Sequence, residues 1–158
     1  MKGNEKLIDT LNDLLSDELT AINQYMVHSE MCKHWGYDRM HEDIEKKAID
    51  EMRHAEWHIQ RILFLEGKPI VSSLKQISIG KSVPEIIQND LDAEAGAILA
   101  YNNAIALASE LGDESTADQL VTILEEEEGH LDWAEKQQAQ IEQMGLENYL
   151  SQQLDEDE

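Results

Sequence analysis

Leu7, Leu11, Leu14, Ile22 and Tyr25 recur at steps of three, four and eight residues, so at ~100° per residue they share one face of a helix. Glu18 falls in the middle of that apolar stripe, where a lone ionised side chain is out of place. The helix is expected over about 5–33, with Asn4 as its cap, and His34-Trp35-Gly36-Tyr37 breaks the pattern. A second helix follows over about 38–65, and so short a connection makes the pair an antiparallel hairpin. Glu66-Gly67-Lys68-Pro69 supplies stop signals, and Ile70 to Lys81 has no helical period. Counted from Glu66, this crossover is about 16 residues, which at ~3.3 Å each reach roughly 50 Å, enough to travel the length of a helix and start the third one parallel to the second.

Ser82-Val83-Pro84-Glu85 reads as a capping box with proline in the first turn, opening a third helix over about 83–111. After Gly112-Asp113 a fourth runs over about 115–144, capped by Asp113 or Ser115 and stopped by Gly145. A short fifth helix is expected over about 146–154, followed by a frayed acidic end, Asp155-Glu156-Asp157-Glu158. The fold class is therefore all-α: one domain over 1–158, a four-helix bundle with a long crossover between helices 2 and 3 and a short C-terminal helix.

The pattern is also duplicated. A shift of 76 residues lays Glu18 on Glu94, Tyr25 on Tyr101, Glu51 on Glu127, His54 on His130 and Trp57 on Trp133. Each half thus carries a single Glu inside an apolar stripe and, 33 residues later, a Glu-x-x-His. Positions i and i+3 of a helix differ by ~60° in direction and ~4.5 Å in height, so Glu51 projects with His54 and Glu127 with His130. Two such helices and two single-Glu helices deliver six ligands to the bundle axis. Helix bundles are known to build di-iron and di-manganese sites in this way, so the arrangement is matched to a known pattern rather than derived.

One Glu-x-x-His alone would be weak evidence, because surface helices are rich in Glu. Four acids at one level of a core are different, since ionised groups buried without partners cost several kcal/mol each or give up their charge. Glu51 and Glu127 are the natural bridging carboxylates, Glu18 and Glu94 the terminal ones, with His54 and His130 one per metal. Asp50 and Glu126 flank the histidines and are placed either to accept the outer ring N–H of the histidine on the opposite helix or to sit as surface acids. Tyr25 and Tyr101, seven residues past the single glutamates, either donate to a ligand carboxylate of the facing helix or are ordinary buried tyrosines. Trp57 and Trp133 read as packing residues. His28, His34, His41 and His58 have no ligand-spaced partners and read as surface or packing residues.

Charge narrows the partners. A net charge of −22 repels nucleic acid and anionic membrane, and cations are the natural guests. Cys32 is the only cysteine, so neither an intramolecular disulfide nor a cysteine metal cluster can form. The start of the chain lacks the apolar run of a signal peptide, and no run of about 18 apolar residues occurs, so a soluble cytoplasmic protein is expected. Met52 points ~130° away from the mean direction of Glu51 and His54, out of the bundle. With Ile49, Ala55 and Ile59, and with Leu19 and Met26 on the first helix, it makes a second apolar patch that wants a partner subunit. Such a methionine is interface packing or, as a thioether ligand, suits haem iron.

The segments Glu18 to Tyr25, Ile49 to Ala55, Arg61 to Gly67, Gly129 to Trp133 and Met144 to Leu150 resemble bacterioferritins, a branch of the ferritin-like proteins, and the likeness covers nearly the whole chain. That resemblance implies a ferroxidase, with Glu18, Glu51, His54, Glu94, Glu127 and His130 as the ligands of two iron ions per subunit. It implies a homo-oligomer of 24 subunits built from dimers, oxidation of iron(II) by O2 or H2O2, and a ferric mineral inside the shell. Met52 occupies the position whose two copies hold one haem per subunit dimer, and a ferredoxin-type electron donor is implied for iron release. The likeness does not extend to Met26, where relatives often carry Phe, to Lys46, where some place an inner-surface His, or to the crossover from Lys68 to Ser78. The alternatives are a non-storing di-metal peroxidase or catalase-like enzyme on the same bundle, and a purely structural helical assembly.

Overall fold

The computed structural model describes residues 1–155, and the acidic end expected to fray lies, from Glu156 onward, outside the described residues. Five helices follow in order: α1 (Glu5–His34), α2 (Asp38–Phe64), α3 (Val83–Glu110), α4 (Glu114–Met144) and α5 (Leu146–Ser151). No strand occurs among the described residues. The local chemistry explains the boundaries. The Asn4 side chain accepts the N–H groups of Lys6 and Leu7, and Asp113, not Ser115, caps α4 by accepting from Thr116. At α3 the Ser82 hydroxyl accepts from Glu85 N–H, while the Glu85 carboxylate reaches back to the N–H of Lys81, one residue before the cap. Gly36 and Gly112 take φ of 88° and 77° in the two short turns, a region side chains disfavour.

The fifth helix is shorter than the expected 146–154. Its chain tightens into turns at Gln152 and Gln153, whose N–H groups reach the carbonyls of Tyr149 and Leu150. The Gln153 carbonyl then accepts from Arg39 N–H at the start of α2. Docking against α2 thus wins over another helical turn.

Cross-bundle side-chain bonds fix the helix directions. Glu18 meets Tyr101 and Tyr25 meets Glu94, so α1 and α3 run antiparallel. His54 meets Glu126 and Asp50 meets His130, so α2 and α4 do too. With α1 and α2 joined by a short turn, α3 is parallel to α2, and the crossover makes that topology reachable. The crossover is tied down as it passes. Lys75 and Ser78 donate their N–H groups to Thr20 and Gln24 of α1, and Gly80 donates to His28 Nε2. Gly80 is buried so close to α3 that a Cβ there would lie 2.5 Å from Ile86 N.

Two apolar clusters form the core. Leu7, Leu11, Leu14, Leu15, Ile62, Ala104 and Leu120 fill one end with their neighbours. Cys32, Met40, Ile44, Val83, Ile86, Ile87 and Tyr149 belong to the other. Burial of each leucine-sized side chain contributes roughly 1.5–3 kcal/mol. These plugs hold the bundle together around a polar middle layer, where Glu18, Glu51, Glu94 and Glu127 are all buried.

Ala55 corrects one sequence expectation. It is buried in the core cluster rather than part of the outward patch. Met52, at 47% exposure, and Met26, at 49%, do face outward, as does Ile49. Leu19 and Ile59 are half-buried and packed against the core.

Candidate metal centre

All six residues singled out by the repeat converge in that middle layer. Their ligand atoms form two overlapping groups, Glu18, Glu51, His54 and Glu127 in one and Glu51, Glu94, Glu127 and His130 in the other. Within each group the atoms lie within 4.8 Å of one another. Glu51 and Glu127 belong to both groups, which is the geometry of two cation positions spanned by shared carboxylates. His54 Nδ1 is 2.9 Å from Glu127 Oε1 and 3.5 Å from Glu18 Oε2. His130 Nδ1 is 3.0 Å from Glu51 Oε1 and 3.4 Å from Glu94 Oε1.

The inward atoms are orphans. Glu18 Oε2, Glu51 Oε1, His54 Nδ1, Glu94 Oε2, Glu127 Oε1 and His130 Nδ1 are buried without a hydrogen-bond partner. Buried polar atoms ordinarily find partners, and six such atoms turned towards one another have the composition and spacing to hold cations. The outer atoms are satisfied. Tyr25 and Tyr101 donate to Glu94 and Glu18. His54 Nε2 pairs with Glu126, and His130 Nε2 lies 3.0 Å from Asp50 Oδ2. A proton on each Nε2 leaves Nδ1 to offer its lone pair to a metal.

Electrostatics describe the same strain. Burial, reinforced by neighbouring acids, pushes Glu51 well above the usual carboxylate range. Burial also moves Glu94 and Glu127 up to about 8. Burial opposes ionisation at Glu18 as well, but the neighbouring Glu51 and His54 groups outweigh it and hold Glu18 below its ordinary value. Burial lowers both imidazoles, yet the surrounding carboxylates win and raise them.

These directions have a consequence for stability. Glu94 and Glu127 bind protons more tightly in the folded chain than in the unfolded one, so between about pH 4.5 and 8 stability falls as pH rises. His54 and His130, raised from 6.5, carry the same sign and lose their contribution as pH climbs past that value. The melting temperature of chelator-treated protein is therefore expected to fall steadily from pH 5 to 8, with a shallower slope in Glu94→Gln. A melting temperature that is flat or rises over this interval contradicts the sign.

A cavity of about 380 Å³ leads off the centre between α1, α3 and the crossover, lined by Asp13, Asp17 and Asp92 as well as the acids of the site. Lys75 reaches over it and pairs with Asp13 and Asp17. A second cavity of about 250 Å³ lies on the α2–α4 flank beside His54, Trp57, Gln119 and Glu126. Sequence reasoning missed Lys75, since nothing in the crossover announces which acid it meets.

The remaining expectations resolve by position. Trp57 and Trp133 are half-buried, the first donating to Gln119 and the second lying under Lys47, whose Nζ is 3.5 Å from the ring centroid. His34 is exposed, while His28, His41 and His58 are buried. His28 bridges Asp90 and the crossover, and His41 bonds the Ser29 carbonyl. Lys46 is exposed.

Comparison with known proteins gives the family of this bundle. The ferritin-like domain matches residues 8–144. The chain is 44% identical over 154 residues to a bacterial ferritin of Paramagnetospirillum magnetotacticum, covering 95% of this chain and 93% of that protein. It belongs to the bacterioferritin family. A bacterial ferritin of Synechocystis sp. is 41% identical over 155 residues, covering 98% and 99% of the two chains. A bacterioferritin of Brucella melitensis is 37% identical over 149 residues, covering 94% and 92%. A family bundle thus surrounds the buried carboxylate and histidine cluster of this chain, and that cluster has the composition to hold metal. No helix among the described residues is long and apolar enough to cross a membrane.

Proposed function

We propose that this chain is an iron-storing ferroxidase. The observation that carries the reading is the pair of overlapping ligand groups, whose six inward atoms lack partners and whose shared members are Glu51 and Glu127. Iron(II) is the substrate, held one ion in each group. Hard, flexible carboxylate oxygens suit both iron(II) and iron(III), and neutral imidazole suits iron(II). Two ions side by side supply the two electrons that reduce O2 to H2O2, or H2O2 to water.

The chain's own residues prepare that step. Tyr25 and Tyr101 hold the terminal carboxylates, and Asp50 and Glu126 orient the imidazoles. Protons held by the acids and histidines leave as the cations arrive. The ferric product passes to the cavity of a 24-subunit shell built from dimers in the cytoplasm. At the dimer axis the exposed Met52 of each copy would hold one haem, which supplies electron transfer when bound. A ferredoxin-type donor reduces the mineral for release.

Storage needs an interior, so assembly tests this reading. The metal-free protein is expected to sediment at about 430 kDa, twenty-four times the 18.0 kDa chain. After aerobic loading with iron(II) it is expected to keep many more iron ions per chain than the two its centre holds. A particle of one or two chains that retains no excess iron would favour the peroxidase or catalase-like reading instead.

A further inference from the structure

Beside the centre runs a short hydrogen-bonded chain that the duplication does not reproduce. His58 is fully buried one helical turn beyond His54, and its Nε2 lies 2.7 Å from Tyr101 Oη. That same hydroxyl bonds Glu18 Oε1. In the other half Tyr25 bonds Glu94, but the shift of 76 lays Ala134 on His58 (58+76), and alanine offers no hydrogen bond. Two tyrosines that look equivalent in the sequence therefore differ in what holds them.

Proton counting sets the direction of the chain. A phenol has one proton, and ionised Glu18 can only accept, so Tyr101 donates to Glu18 and its oxygen accepts from His58. His58 Nε2 must then carry the ring proton. The opposite tautomer would place an N–H on Nδ1, which is buried with no partner. Burial pushes the imidazole down to about 4, against the pull of Glu18, so it is neutral. The far oxygen of the same carboxylate, Glu18 Oε2, is an orphan 3.5 Å from His54 Nδ1.

We propose that His58 is a positioning residue for Glu18: as its Nε2–H tautomer it donates to Tyr101, fixes the Tyr101 proton on Glu18 Oε1, and leaves Oε2 turned to the cation. Linked donors strengthen one another, and a carboxylate held in one orientation loses less freedom when a cation binds. The two metal positions are therefore unequal, and the Glu18–His54 position fills first. The inference rests on the di-metal reading above.

Anaerobic cobalt(II) titration of the assembled, metal-free protein, followed by visible absorption, separates the two. Wild type is expected to bind two cobalt(II) per chain in two resolved steps. His58→Leu is expected to weaken the tighter step about five-fold, the worth of one ordinary net hydrogen bond, and the other step less than about two-fold. His58→Gln, which keeps an N–H at similar reach, restores the tight step. In a Tyr101→Phe background His58→Leu adds nothing further. The proposal is overturned if His58→Leu leaves both steps unchanged, weakens both equally, or adds to Tyr101→Phe. If His58→Leu does not assemble, His58→Gln against the shorter His58→Asn decides, with only the former retaining the tight step. Wild type that fails to bind a pair of ions overturns the di-metal reading itself, a separate outcome.

Discussion

Replacing Glu127 by alanine is expected to slow the initial oxidation of iron(II) on the order of 100-fold or more, while leaving the metal-free bundle folded. Glu127 belongs to both ligand groups, and its Oε1 lies 2.9 Å from His54 Nδ1. Its loss therefore damages both cation positions at once. Partners that merely orient metal ligands are typically worth ~10–100-fold, so a shared ligand sets a higher floor. The fold should survive, because the substitution removes one member of a crowded, like-charged layer in which Glu127 is already pushed up to about 8, mainly by burial. Glu128→Ala is the control: that neighbour is exposed and outside both groups, so its rate should stay within about two-fold. Oxygen-uptake traces give the rates and thermal melting of chelated protein the fold. Rapid oxidation surviving in Glu127→Ala sinks the ligand assignment.

The second large effect belongs to the outer face. Met52→Leu is expected to abolish haem binding, taking purified oligomer from about one haem per dimer to near none. Leucine keeps the size and apolar character of the patch but has no sulfur to ligate iron. Met52 is 47% exposed, and its side chain has no part in either ligand group. Iron(II) oxidation should therefore change by less than about two-fold. The measurement is the absorption spectrum after reconstitution with haem, in which wild type should show bands of a bis-thioether centre. Full haem occupancy in Met52→Leu would refute the assignment, and a parallel loss of oxidation would mean the two sites are coupled.

Much of this was legible in the chain because it depends on period. Glu18 interrupts an apolar stripe at helical spacing, and the shift of 76 repeats the interruption at Glu94, so the ligand faces could be placed before any coordinates. Asp50 and Glu126 were half legible: each stands one residue before a glutamate of the repeat, a place that suits a partner of the facing histidine and a surface acid equally, and the packing of α2 on α4 decides for the former. The helix starts were local chemistry: Asn4, Ser82 and Asp113 all cap as their side chains suggest.

What escaped depends on register between helices far apart in sequence. His58 reads as a packing residue until the four helices are assembled, when it proves to reach Tyr101 of α3 across the bundle interior. Its one signal was a failure of the repeat, a histidine matched by Ala134. Lys47 gave no signal at all, since only the packing of α2 on α4 brings it over Trp133. There burial outweighs the nearby acids and lowers it to about 8. The end of α5 was misplaced because helix propensity continued through Gln152 and Gln153 while a tertiary bond to Arg39 stopped it.

The central claim is that two cations share one six-ligand site, and anaerobic titration of iron(II) into the metal-free assembly tests it most directly. Equilibrium dialysis at low iron(II) should reach a plateau of two ions per chain in wild type and fewer than two in Glu127→Ala. A wild-type plateau of one ion or none, or an unchanged plateau of two in Glu127→Ala, would contradict it.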